Sequence, residues 1–210
     1  MTASDRWRLL LLAGVAFALA LSAIHPNDPA TWAMETAPIF IAAPVLILTH
    51  ARFPLSRLLA VLIALHALVL LVGGHYTYAE VPLGYWLQDL FALSRNPYDR
   101  IGHFFQGLVP ALAAREILLR HGFVAGRRMA GFLSICVALA VSASYELIEW
   151  AAALILGQGA DQFLGTQGDP WDTQWDMFMA LTGSSFAILC LSGLQDRSMA
   201  ALNHLKKPKA

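Results

Sequence analysis

Asp99 and His103 stand four residues apart, as do Asp172 and Asp176, while Glu146 and Glu149 stand three apart. On a helix each pair projects from one face. Three such helices would bring five carboxylates and an imidazole to one depth. Carboxylates this close in a medium of low dielectric cannot all stay ionised unless a cation or proton lies between them. Oxygen-rich ligands with a histidine suit a divalent ion such as Mg, Mn, Fe or Zn. The candidate catalytic set is therefore Asp99, His103, Glu146, Glu149, Asp172 and Asp176, and the candidate metal ligands are these six with His75. Glu35, Asp161 and Asp169 fall near the same layer. Asp28, Glu80 and Asp89 read as solvated loop charges, and His66, about 180° around its helix from His75, reads as a satisfied buried histidine.

Two segments around these residues share a pattern: Asn96-Pro97-Tyr98-Asp99 followed by His103, and Asp169-Pro170-Trp171-Asp172 followed by Asp176. Helix capping explains three of the first four positions of each. Asn96 and Asp169 suit an N-cap, Pro97 and Pro170 the first helical position, and Asp99 and Asp172 the third, where a carboxylate meets free N–H groups. Capping does not explain His103 and Asp176 one turn deeper. Ionisable groups at that depth are expensive and mark function.

The depth is that of a membrane. The chain has 210 residues, 58% hydrophobic and 13% charged, and six apolar stretches match the roughly 17–25 residues needed to span hydrocarbon: 7–24, 32–49, 56–74, 98–116, 129–155 and 176–194. These are continuous runs without strand alternation. The expected fold is all-α, a polytopic six-helix membrane bundle over residues 1–194 with a polar cytoplasmic tail from 195 to 210. The first run lacks a small-x-small cleavage site and reads as a retained helix.

Of the 14 basic residues, all but Arg95 and Arg100 fall at alternate ends of the spans, which puts both termini in the cytoplasm. Eleven of the 14 acidic residues then lie at the outer side, with Trp32, Trp86, Trp150, Trp171 and Trp175 as an interfacial belt. Arg100 stands out as a counter-charge or phosphate anchor. Cys136 and Cys190, within apolar helices, read as packing residues, and no basic surface suits nucleic acid as a partner.

The segments His75-Tyr76-Thr77-Tyr78, Tyr98-Asp99-Arg100-Ile101-Gly102-His103-Phe104-Phe105-Gln106-Gly107, Tyr145-Glu146-Leu147-Ile148-Glu149-Trp150 and Gly165 to Met177 resemble the YjdF-type family of bacterial inner-membrane proteins, a family of unknown function. A more distant resemblance is to VanZ-like membrane proteins. It rests on Asp99 with His103 and Phe104, then Glu146 and Glu149, then Asp172, Asp176 and Gly183; Glu149 stands where those proteins more often carry Gln.

Two classes of function follow. In one, the cluster binds a divalent metal at the outer face and acts on a lipid or lipid-linked envelope substrate as a hydrolase or transferase. In the other, a small transporter uses the same cluster to load an ion or proton. A metal-stabilised structural protein is the third possibility.

Overall fold

The computed structural model describes residues 3–156 and 166–206, and every regular element among them is helical. In chain order these are α1 (Ala3–Ser22), α2 (Pro29–Thr49), α3 (Arg57–Tyr76), α4 (Pro82–Phe91), α5 (Tyr98–Arg120), α6 (Arg127–Leu156), α7 (Asp172–Phe186) and α8 (Ser192–Lys206). A 3-10 turn, Tyr78–Glu80, precedes α4, and a π turn, Ala187–Leu191, carries α7 into α8 without a break. Asp161 lies outside the described residues.

Four helical stretches are long and apolar enough to cross a membrane: Pro29–Thr49, Arg57–Tyr76, Arg127–Ile155 and Asp172–Leu202. The other two expected spans are helical but more polar. Asp5, Arg6 and Arg8 open α1, and α5 carries Asp99, Arg100, Arg115, Glu116 and Arg120. The wide exposed apolar faces, such as Leu48, Ile155 and Leu189 at about 80% exposure, suit a lipid surround rather than water.

α5 lies at the centre, packed against α3, α6 and α7. Leu108, Val109, Ala111 and Leu112 of α5 meet Leu59, Ala138 and Ala187 in the main apolar core. Where α5 crosses α7, the backbones touch. A Cβ on Gly107 would strike the carbonyl of Ala180, and one on Gly183 would strike the carbonyl of Phe104. Small residues at such crossings let membrane helices approach closely enough for van der Waals packing to hold them.

The C-terminal end of α5 is tied by a polar network. Glu116, fully buried, accepts hydrogen bonds from the Ser56 amide at 2.8 Å, the Ser56 hydroxyl at 2.5 Å and Arg120 at 2.7 Å. Arg115 donates to Gln195 at 2.9 Å and pairs with Asp196 at 2.8 Å. Gln195 in turn donates to the Leu112 carbonyl at 2.7 Å. Two expectations change here. Arg115, counted among the cytoplasmic basic residues, is 2% exposed and locked inside the bundle. The residues from Gln195 onward, expected as a polar tail, continue the last helix to Lys206, and its Gln195 and Asp196 are turned to these internal partners.

Cys136 and Cys190 also differ from expectation: both are free thiols exposed on helix surfaces rather than packed inside.

Candidate metal centre

Asn96 and Asp169 start α5 and α7 in the same way, though not as simple N-caps. The Asn96 side chain accepts the Tyr98 N–H at 3.0 Å and Asp169 the Trp171 N–H at 2.9 Å. These are Asx turns two residues long, so the helices begin at Tyr98 and Asp172, one or more residues later than caps at these positions would place them. The two starts are clasped together. Gln167 accepts from the Asn96 amide and donates to the Asn96 carbonyl, each at 3.0 Å.

Behind this clasp the ionisable side chains converge. Nδ1 of His103 donates to the side-chain oxygen of Gln106 at 2.9 Å. Its Nε2 then faces Asp99 Oδ1 at 3.4 Å and Asp176 Oδ1 at 3.7 Å, while Glu146 Oε1 lies 3.8 Å from Nδ1. All four residues are buried. Asp99, His103 and Asp176 each offer a ligand atom within 4.8 Å of the others. Asp99 Oδ2, Glu146 Oε1 and Asp176 Oδ1 are buried and accept no hydrogen bond among the described residues, Asp99 Oδ2 facing Arg95 Nη2 at 3.6 Å. Fixing one ring nitrogen of a histidine by a hydrogen bond so that the other presents its lone pair is how metal ligands are oriented. A lone pair facing two carboxylate oxygens, with Glu146 Oε1 and Asp176 Oδ1 buried and accepting no hydrogen bond among the described residues, fits a cation at this point.

Glu149, also buried, stands within electrostatic reach of Glu146, His103 and Glu35. Glu35 is buried on α2, where it accepts the Tyr145 hydroxyl at 3.2 Å and feels Asp99 and His103. It therefore adjoins the cluster. Tyr78, in the 3-10 turn, lies beside Glu35 and Asp99, and burial pushes its phenol well above the ordinary value, so it remains a neutral donor.

Asp172 sits one layer outward. It is ion-paired with Arg95, which also reaches Asp99 and Asp169, each at 3.6 Å. Arg100 pairs with Asp169 at 3.2 Å and lies 3.9 Å from Asp172, its guanidinium 5.0 Å from the centre of the Trp175 ring. The two basic residues on the acidic side are thus counter-charges that hold the outer aspartates.

His75 is placed elsewhere. Its Nδ1 donates to the Ser22 carbonyl at 2.9 Å, at the C-terminal ends of α1 and α3, and no described contact joins it to the cluster. His66 stacks on Phe105, and its Nε2 is buried without a hydrogen bond, unlike the satisfied histidine expected. Asp28 caps α2 by accepting the Thr31 N–H at 2.6 Å, which holds its carboxyl below the usual value. Glu80 accepts from Asn27 at 3.0 Å, and Asp89 is exposed.

Arg95, Gln106, Tyr145 and Gln167 escaped the sequence reading. Arg95 had one signal, as one of two basic residues on the acidic side. The other three are uncharged, and nothing in their local sequence marks the partners they meet.

No solved structure matches the chain. Over 181 residues it is 57% identical to the inner membrane protein YjdF of Escherichia coli K12, covering 86% of this chain and 87% of that protein. Residues 7–197 match the family of predicted membrane proteins DUF2238, and the chain belongs to that family.

Proposed function

We propose that this multi-pass inner-membrane protein carries a divalent-metal site at its outer face, built on Asp99, His103 and Asp176 and extended by Glu146 and Glu149. The observation that carries this reading is the His103 ring, pinned by Gln106 so that Nε2 confronts two carboxylates. Asp172, held by Arg95, positions the start of α7 and adds negative charge one layer out. When bound, a divalent ion here would polarise a phosphoryl or carbonyl oxygen or activate water. The chain's own residues hold the ion, fix the imidazole and exclude bulk water. A metal-dependent hydrolase or transferase acting on a lipid or lipid-linked substrate is the reading that suits such a site at a bilayer face.

A small ion- or proton-coupled transporter using the same cluster ranks second. Against it, Leu108, Ala111 and Leu112 line α5 below His103, where a polar route would be needed. A metal-stabilised structural membrane protein ranks third.

Elemental analysis of purified protein tests the site. The wild type and Asp89→Asn should carry near-stoichiometric metal, His103→Ala none, and Asp172→Asn should bind about 10–100-fold more weakly, as for loss of a group that supports the ligands. Full and equal occupancy in all four would overturn the proposal.

Six spans with both termini cytoplasmic complete the reading, supported by the alternation of basic residues along the chain. In a background where Cys136 and Cys190 are Ser, Ser94→Cys should react with an impermeant maleimide from outside. Ala125→Cys should react only after lysis, and the reverse pattern would invert the face of the site.

A further inference from the structure

On the other flank of α5 from the carboxylates runs an apolar groove of about 290 Å³. Leu87 and Phe91 of α4 form its outer wall, Ile101 and Phe104 of α5 its floor, and Met179 of α7 its far side. Along α5 these positions and Asp99 or His103 fall on opposite faces of the helix, since 101 and 104 recur on one stripe and 99 and 103 on the other. The one charged residue lining the groove is Arg100.

The groove's size and lining say what fits it. Its volume lies just under the roughly 300 Å³ at which ligand pockets begin, and its walls offer nothing to hydrogen-bond a sugar or peptide. A single hydrocarbon chain has no polar groups to leave unsatisfied there. α4 is amphipathic in placement, with Leu83, Trp86 and Leu90 turned outward and exposed, so the groove opens where lipid surrounds the protein.

Arg100 supplies the second half of the ligand. Its guanidinium has five N–H donors, yet among the described residues its hydrogen bonds use one nitrogen, Nη2, which donates to Asp169 at 3.2 Å. Asp172 lies 3.9 Å from that same nitrogen, and stacking against Trp175 fixes the plane of the group. The edge carrying Nε and Nη1 is left for an acceptor. A planar, permanently charged fork at the mouth of an apolar groove matches the phosphate of a lipid.

We propose that this groove holds one acyl chain of an outer-leaflet phospholipid, with the lipid phosphate seated on Arg100. The site stands apart from the metal reading and survives if that reading fails, because none of the groove's apolar residues belongs to the ligand cluster.

Native mass spectrometry of the full chain in mild detergent, with phosphatidylglycerol or oleate added, tests it. The wild type should retain one phosphatidylglycerol and retain oleate, which has a chain but no phosphate, at least tenfold less. Ile101→Trp, which fills the floor, should abolish retention, and Arg100→Gln should weaken it about tenfold. Leu147→Trp, on an exposed apolar face of α6 away from the groove, should bind as the wild type does. Thermal unfolding confirms that each variant is folded; should Ile101→Trp fail, Met179→Gln takes its place with the same expectation. Equal retention in the wild type and the filled-groove variant, the mark of annular lipid only, would overturn the proposal. So would equal retention of oleate and phosphatidylglycerol with no effect of Arg100→Gln.

Discussion

Gly183→Ala should cost about 2–3 kcal/mol and lower the thermal midpoint of the solubilised protein by roughly 4–12 °C, the range for one added methyl in a tightly packed site of a chain this size. The added Cβ would meet the carbonyl of Phe104, which belongs to a helix backbone and cannot rotate away as a side chain could. α5 and α7 must then separate, and the separation reaches Gly107 against Ala180 on the same crossing. Gly193→Ala is the comparison. That glycine is exposed, nothing lies within 4 Å of its added Cβ, and removing a helical glycine should leave stability unchanged or raise it by up to about 1 kcal/mol, so the midpoint stays or rises. Thermal unfolding followed by circular dichroism distinguishes the opposite signs. Equal effects at the two glycines would mean that the crossing is not what holds the bundle.

Glu116→Ala should be more damaging, at about 3–5 kcal/mol, the cost of removing one partner from a buried charged network. It strips the acceptor from the Ser56 amide and hydroxyl and from Arg120 in a fully buried place. The midpoint should fall by roughly 6–20 °C. Asp176→Asn in metal-stripped protein should behave otherwise, with a change of about 1 kcal/mol or less, or a gain. Asp176 Oδ1 accepts no hydrogen bond among the described residues, and an amide there removes the burial cost of a carboxylate and its repulsion from Asp99, which offset the lost attraction of His103 3.7 Å away. Glu116 and Asp176 are carboxylates of similar burial, at 0% and 2% exposure, so a difference of this size separates a satisfied structural group from one kept at the expense of stability. Matching losses in the two variants would remove that distinction.

The stripe of Asp99, His103, Glu146, Glu149, Asp172 and Asp176 was legible because charge inside a membrane has few bland explanations. Helical spacing put each pair on one face, and the clasp of Asn96 with Gln167 brings two of the three stripes together. Depth alone misled for His75. It sits at the right level, but the rotation of α3 aims its ring at Ser22, and rotation about an axis is set by packing that hydropathy does not record. The inner network was missed for a related reason. Arg115 and Arg120 had already been explained as cytoplasmic charge, so nothing prompted a search for their partners. Their distant partners, Gln195 for Arg115 and the Pro54 carbonyl for Arg120, lie 80 and 66 residues away in sequence. Arg95 was seen only as an exception to topology, although it holds three aspartates together.

The central position of α5 bears on how the chain is made. On the six-span reading, this helix enters the bilayer with Asp99 and Arg115 on its surface before the later residues that complete their networks exist. Asp172, which shares Arg95 with Asp99, and Gln195 with Asp196, which hold Arg115, belong to the last stretch synthesised. Roughly 50 residues separate the end of α5 from the start of α7, so at about 5–20 residues per second the helix waits some 3–10 seconds for its first late partner. During that interval it is too polar to rest among lipid chains by itself. On that reading the helix needs shelter until α7 arrives, which makes roughly the final fifth of the chain, from Asp172 onward, the step that releases the protein into the membrane.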